Sequence, residues 1–369
     1  MTLLLEGYQV LDLTRVLAGP LSTMALGDLG ARVIKVEQPG TGDETRAWGP
    51  PFAPDGESAY YRSVNRNKLD IALDLSSEAD RTQLATLIRG ANVVVDNYKR
   101  GALERRGIDP TRFLTEDPAL VWCTITGFGS ESDRPGYDYV VQAESGWMSI
   151  TGEVNGEPMK TGVALADVIA GKDTAIAVLG ALASRAPLSL EQRRIFISLA
   201  HSATAALVNV AQNVLVSGHD ASRWGNGHPN LVPYQLFHAA DRPMVIAVGN
   251  DGQWRACCHA LKLAELGMDA RLATNAGRLA HRVDVVRAIA ERIGTGKAAE
   301  WLGALERSGV PCGVVRTVQE ALAGVSSSPQ TGVAPSIPGS VRLPPPKLDE
   351  HGALIRAHGW AAFKQVLER

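Results

Sequence analysis

The chain has 369 residues, with 37 Lys and Arg against 39 Asp and Glu, for a formal charge of −2. That length predicts two domains, and the even charge balance argues against a nucleic-acid-binding or anionic-membrane surface, so neither is expected as a partner. With 45% hydrophobic and 21% charged residues the composition is that of a folded protein, which excludes general disorder.

Along the chain, Tyr8–Leu13 reads as a buried strand, followed by a helix from about Pro20 to Leu29 that ends at Gly30. Arg32–Glu37 is a β-branched strand, Asp70–Asp74 a short one, Ser77–Arg89 a helix with acidic residues near its start. Ala91–Asp96 and Leu120–Ile125 are the next strands. Strands alternating with helices at this spacing predict βαβ units, hence an α/β fold with a Rossmann-like large domain built on a mainly parallel, helix-covered sheet. The alternation fades after about residue 190. An Ala-rich helix is expected over residues 200–217, a Gly/Asn/Pro-rich boundary over 218–232, and a strand at Met244–Val248 that opens a smaller α/β domain. Helices near 251–261, 283–292 and 296–308 follow, then a possible strand at 314–316, a Ser/Pro/Gly-rich linker over 325–346 and a last helix over 350–367. The expected organisation is a large domain over 1–190, linker helices over 191–224, a small domain over 225–320 and a C-terminal return over 321–369.

No apolar run reaches the roughly 18 residues of a membrane span. The opening Met1-Thr2-Leu3-Leu4-Leu5-Glu6 lacks the basic flank and apolar core of a signal peptide. Cys123, Cys257, Cys258 and Cys312 form no CxxC motif, so reduced thiols and a cytoplasmic location are expected. A parallel sheet invites nucleotide chemistry, but the first strand is followed by Thr14-Arg-Val-Leu-Ala-Gly19-Pro20 rather than G-x-G-x-x-G, which argues against a nicotinamide or flavin cofactor. No P-loop, no G-x-S-x-G elbow and no H-E-x-x-H motif occurs, so NTPase and α/β-hydrolase chemistry and a dedicated metal site have no support.

Several collinear segments carry a positive signal: Val10-Leu-Asp-Leu-Thr-Arg-Val-Leu-Ala-Gly-Pro20, Gly27–Pro39, Asn65-Arg-Asn-Lys68, Asp96-Asn-Tyr-Lys-Arg-Gly101, Arg134-Pro-Gly-Tyr-Asp138, Gly162-Val-Ala-Leu-Ala-Asp167 with Gly171, and His228-Pro-Asn230. Each is weak alone; as an ordered set the chain resembles the family III CoA-transferases, the CaiB/BaiF family. The resemblance implies an acyl-CoA and a small mono- or dicarboxylic acid as substrates, no metal, and a homodimer of interlocked chains. It places the nucleophile at Asp167, whose carboxylate would attack a thioester carbonyl. On residue patterning alone Asp167 reads rather as an ordinary acidic residue in the first turn of a helix, and it is the family position that reverses this. A helix N-terminus should keep it ionised and offer amides to an oxyanion. By resemblance Asn97, Tyr98 and Arg105 line the CoA cleft, Leu73 joins an adenine slot, Val16 touches the CoA arm and Tyr137 lies near the thioester. Arg15, Arg46, Arg134 and Lys160 are candidates to hold a distal acceptor carboxylate.

The chain also departs from the family pattern. Gln38 stands where some members have arginine, so a phosphate contact would pass to Lys35, Arg46 or Arg66. Asp349 stands where a glycine usually precedes the Glu-His pair. No glycine run of the formyl-CoA-transferase kind occurs in Gly225-Asn-Gly-His-Pro229. α-Methylacyl-CoA racemases share the fold and are the alternative activity. They need a second base, and this chain carries Tyr137 where they have histidine. A non-catalytic acyl-CoA-binding protein is the third reading, and a retained Asp167 weighs against it.

Overall fold

The computed structural model describes residues 3–367, so Met1 and Thr2 of the opening segment lie outside it. The described chain divides into two compact units. One is made from Met1–Met148, Lys160–His219 and Val325–Arg369, the other from Ser149–Met159 and Asp220–Gly324.

The first unit is built on a six-stranded parallel sheet in the order β3-β2-β1-β4-β5-β6. The strands are β1 (Gln9–Leu13), β2 (Arg32–Glu37), β3 (Lys68–Ala72), β4 (Val93–Asp96), β5 (Val121–Thr126) and β6 (Arg194–Ser198). The register pairs Val10 with Val33 on one side and with Val93 on the other, so β1 and β4 are neighbours although two strands separate them in sequence. The order of winding reverses there, which opens a crevice at their carboxyl ends.

Strands β1 to β5 are buried almost throughout, charged Asp12, Lys35, Lys68 and Asp70 included, because both faces of the sheet are covered. On one face Leu11, Leu13, Ile34, Val94 and Trp122 pack with α2 (Glu78–Arg89), with Phe113 and Leu114 of α3 (Pro110–Glu116) and with Ile355, Trp360 and Phe363 of the C-terminal segment. On the other, Val10, Val33, Val93, Val95 and Cys123 pack with α1 (Ala18–Asp28) and the long helix α4 (Leu165–Leu182). Helices α1 and α4 approach closely at Gly171, where an added Cβ would lie 2.6 Å from the carbonyl oxygen of Ala18. That contact fixes the start of α4 against the turn that follows β1.

Most expected elements appear within a few residues of their predicted bounds. Three differ. Strand β6 lies inside the stretch where strand–helix alternation faded from view; it is an edge strand of mixed composition, Arg-Ile-Phe-Ile-Ser, paired only to β5. The single helix expected over 200–217 is two, α5 (Leu199–Ala205) and α6 (Asn209–Ser217), bent by 73° at a break where Val208 has φ 45°. The last helix is interrupted at Gly359, φ 54°. No single helix among the described residues is long and apolar enough to cross a membrane.

The second unit has its own core on an antiparallel three-stranded sheet, in which Pro243–Ala247 lies between Tyr234–His238 and Cys312–Val314. The strand at 234–238 was not among the predicted elements. Trp254, Met244, Ile246, Ile289 and Leu305 are fully buried there. The buried Arg278 guanidinium is satisfied by the carbonyls of Val232 and Leu272 and by Asp251.

Candidate active site

The crevice at the carboxyl ends of β1 and β4 is closed by a reciprocal pair: Asn97 accepts the Arg15 N–H at 3.1 Å through Oδ1 and donates Nδ2 to the Arg15 carbonyl at 2.8 Å. The next residue, Val16, has φ 73°, a left-handed conformation that costs a β-branched residue about 1–2 kcal/mol. Its N–H is held by the Asp43 carboxylate at 3.2 Å. Asp43 is fully buried and pairs with the equally buried Lys35 at 3.1 Å, and the same ammonium donates to the Thr14 carbonyl at 2.8 Å. An ion pair beneath the turn therefore fixes both the Thr14 carbonyl and the Val16 amide.

A cavity of about 460 Å³ opens over this crevice. Its walls include Val16, Asn97, Tyr98, Lys99, Tyr137 and Asp167. A second hollow of about 260 Å³ is walled by Trp48, Tyr60, Tyr137, Tyr139, Lys160 and Val163. Val16, Tyr137 and Asp167 line both, so Asp167 stands at the junction of the two spaces.

Asp167 is the third residue of α4 and is 9% exposed. Its carboxyl is pushed up to about 7, first by burial and then by the neighbouring carboxylate of Asp138. This reverses the expectation that the helix N-terminus keeps it ionised. The reason is which side chain receives the helix amides. Asp138 Oδ1 accepts the N–H of Ala166 at 2.8 Å and of Asp167 at 3.3 Å, while the Leu165 and Val168 amides bond to Val163 and Ala164 carbonyls. Asp138 takes the stabilisation that an N-terminal carboxylate receives, and Asp167 receives its repulsion. The expected oxyanion site formed by these amides is for the same reason already filled. Asp138 is itself fixed by fully buried Gln142, whose Nε2 donates to Oδ2 at 2.6 Å.

The other predicted site residues divide. Val16, Asn97, Tyr98 and Tyr137 come together at the larger cavity. Tyr98 also rests against the core, and burial raises its phenol; Tyr137 is 52% exposed. Leu73 does not reach the cavity: it is 2% exposed in the apolar core under α2, just past the end of β3. Arg105 is exposed and lies over Gly101, outside the cavity wall. The three cations proposed to replace a lost phosphate contact are all committed elsewhere. Lys35 pairs with Asp43, Arg46 with Glu37 and Glu57, and Arg66 with Asp28 and the carbonyls of Thr331 and Val333.

Two residues that the sequence did not single out stand in the larger cavity. Arg194, on the edge strand β6, lies 4.2 Å over the Phe196 ring and donates to Thr124 Oγ1 at 2.8 Å. Burial pushes its guanidinium below the ordinary arginine range, and among the described residues it forms no ion pair. The alternation Arg194-Ile-Phe196-Ile-Ser198 was the available signal. In the smaller hollow, Trp48 and Tyr60 meet edge to face at 5.0 Å, and burial with the charges of Asp167 and Asp138 raises the Tyr60 phenol to about 12. No cluster of three or more metal-ligating side chains occurs among the described residues.

The architecture and sequence have close counterparts. The chain is 40% identical over 380 residues to the succinate–glutarate CoA-transferase of Agrobacterium fabrum, covering 96% of this chain and 95% of that one. It is 40% identical over 324 residues to human succinyl-CoA:glutarate CoA-transferase, covering 86% of this chain and 73% of that protein. A crystal structure of a CaiB/BaiF family protein from Brucella suis superposes with a TM-score of 0.85 at 38% identity, over 97% of this chain and 99% of that one. Residues 5–351 match the family model for CoA-transferase family III. With a match over nearly its whole length, and a buried aspartate where the family motif falls, this chain belongs to CoA-transferase family III.

Proposed function

We propose that this protein moves CoA from an acyl-CoA donor to a carboxylic acid acceptor, with Asp167 as the nucleophile. The observation that carries the reading is the position of Asp167 on the wall shared by two spaces of different character. The larger offers Lys99 and Arg194, cations that form no ion pair among the described residues, to the phosphates of CoA, with Asn97, Tyr98 and Val16 along the arm. The smaller, aromatic hollow takes the acyl group.

The Asp167 carboxylate attacks the thioester carbonyl carbon, the C–S bond breaks, and CoA leaves as thiolate, giving an aspartyl mixed anhydride. The thiolate then attacks the aspartyl carbonyl. The donor acid departs as carboxylate and Asp167 becomes an aspartyl-CoA thioester. The acceptor carboxylate repeats the two steps in reverse, and its acyl-CoA leaves with the Asp167 carboxylate restored. The free-energy content of the thioester is kept throughout as an activated acyl group, so the scheme consumes no nucleotide. Burial serves it by excluding the water that would hydrolyse the anhydride.

Relatives named for succinate and glutarate support dicarboxylates as acceptors. The working species is a homodimer of interlocked chains; Leu215 and Val216, 77% and 78% exposed on α6, are the kind of apolar surface such an assembly would cover.

Intact-protein mass spectrometry tests the mechanism. Incubation with succinyl-CoA or acetyl-CoA followed by acid quench should give a hydroxylamine-sensitive adduct on the native protein and none on Asp167→Ala. Solvent-deuterium exchange at the α-carbon of a 2-methylacyl-CoA, with no adduct from either donor, would replace this reading with the racemase.

A further inference from the structure

Four cations are candidates for the far end of a dicarboxylate, and their surroundings separate them. Arg46 is saturated by Glu37, Glu57, the Tyr61 hydroxyl and the Pro346 carbonyl. Arg134 is bound to Glu144 and lies 4.0 Å over the Phe128 ring. Arg15 faces Glu44 at 3.9 Å and lines only the larger cavity. Lys160 forms no ion pair among the described residues; its ammonium donates only to the Thr161 carbonyl, at 3.1 Å. Among the residues that wall the smaller hollow it is the sole cation.

We infer that Lys160 selects dicarboxylic acids by pairing with the carboxylate distal to the one that reacts at Asp167; this rests on the transferase reading above. Two further features support it. The hollow already holds two acidic side chains, Asp138 and Asp167, so a dianion enters against their repulsion unless a cation offsets it. The lysine is also held in a fixed relation to the nucleophile. Thr161 donates its N–H and hydroxyl to Gln142 Oε1 at 2.9 and 3.2 Å, and Gln142 is the residue that fixes Asp138 at the start of α4. One buried amide thus ties the Lys160 segment to the helix turn that carries Asp167. Between the two ends, the rings of Trp48, Tyr60 and Tyr139 offer apolar wall to intervening methylenes. A monocarboxylate of equal length would leave the ammonium to solvent.

The test compares glutarate with pentanoate as acceptors for the native enzyme, Lys160→Met and Lys160→Arg. Lys160→Met should raise KM for glutarate about tenfold, as expected for losing one charged hydrogen-bonding partner. It should leave kcat and the pentanoate reaction nearly unchanged, and Lys160→Arg should keep the preference for glutarate. Equal losses with both acids, or an unchanged glutarate KM in Lys160→Met, would overturn the assignment. The Asp167 adduct from acetyl-CoA, a donor with no distal carboxylate, separates the two claims. An adduct in native and Lys160→Met protein with no shift in glutarate KM sinks the role of Lys160 alone. No adduct in native protein from either acetyl-CoA or succinyl-CoA sinks the transferase reading and the inference with it.

Discussion

Asp138 and Asp167 are joined by a hydrogen bond from the backbone of one to the side chain of the other, and the consequence is electrostatic. Asp138 Oδ1 accepts the Asp167 N–H at 3.3 Å and the Ala166 N–H at 2.8 Å, so the positive end of α4 is occupied by Asp138. The Asp167 carboxyl, buried and beside that charge, is pushed up to about 7. In the nucleophilic role proposed above, the ionisation of this carboxyl is the natural control on rate.

The rate of adduct formation should therefore rise with pH through an apparent pKa near 7, because only the ionised Asp167 attacks. Asp138→Asn keeps an oxygen for the two amides but removes the negative charge. It should move the midpoint downward without returning it to the ordinary aspartate value, since burial is the larger cause. Single-turnover rates with acetyl-CoA from pH 5 to 9 measure both; a midpoint unmoved by Asp138→Asn would contradict this account.

The same shift makes Asp167 a cost to stability. Its folded pKa lies above its unfolded value, so the folded state is favoured while the group is protonated, and this advantage is lost as pH rises from about 4 through about 7. Asp167→Asn, which carries no charge, should be more stable than the native protein above pH 7 by about 2–4 kcal/mol, and the difference should vanish near pH 4. Urea unfolding at pH 4, 6 and 8 checks the sign and the window.

The buried Lys35–Asp43 pair should be more sensitive. Lys35→Met leaves Asp43 uncompensated and should destabilise the protein by about 3–5 kcal/mol. Val16→Gly acts on the same turn from the other side. It removes the penalty of the left-handed conformation, so folding stability should rise by about 1 kcal/mol, while KM for acyl-CoA increases as the turn loosens. A stability loss in Val16→Gly would show that side-chain packing, not backbone strain, dominates there.

Asp349, where the family usually has glycine, has φ 56°. Aspartate tolerates this conformation better than most residues, and here its Oδ1 accepts the Ala72 N–H at 2.8 Å, stitching the C-terminal segment to the end of β3. Asp349→Gly should cost about 1 kcal/mol, the worth of that hydrogen bond. Asp349→Val, which loses the bond and strains the turn, should cost about 3 kcal/mol. Thermal melts of the two variants give the comparison.

Much of the large unit was legible because its central strands are rich in β-branched and other apolar residues and some helix starts carry a side-chain cap. Ser77, for example, accepts the Asp80 N–H where the sequence placed a helix start. Strand β6 was not legible, because its one signal is a five-residue alternation with arginine at its head, too short to stand out beyond the point where strand–helix alternation fades. With it were lost Arg194 and Phe196, side chains that only its pairing to β5 brings over the cavity. Leu73 does not line the cavity for a different reason: a leucine just past the end of β3 is taken up by the core.

The linear sequence determined the layered α/β unit, because periodic burial is written in neighbouring residues, and an ordered set of local motifs singled out Asp167. The tertiary structure decided the electrostatics of that carboxyl. Whether an aspartate at a helix start is charged depends on which carboxylate captures the helix amides, and Asp138 lies 29 residues away in sequence. Which cations remain for a substrate was likewise decided in three dimensions. Charge on a side chain is set by its residue type, but its availability depends on the acids folded against it, which are present for Lys35, Arg46 and Arg66 and, among the described residues, absent for Lys160.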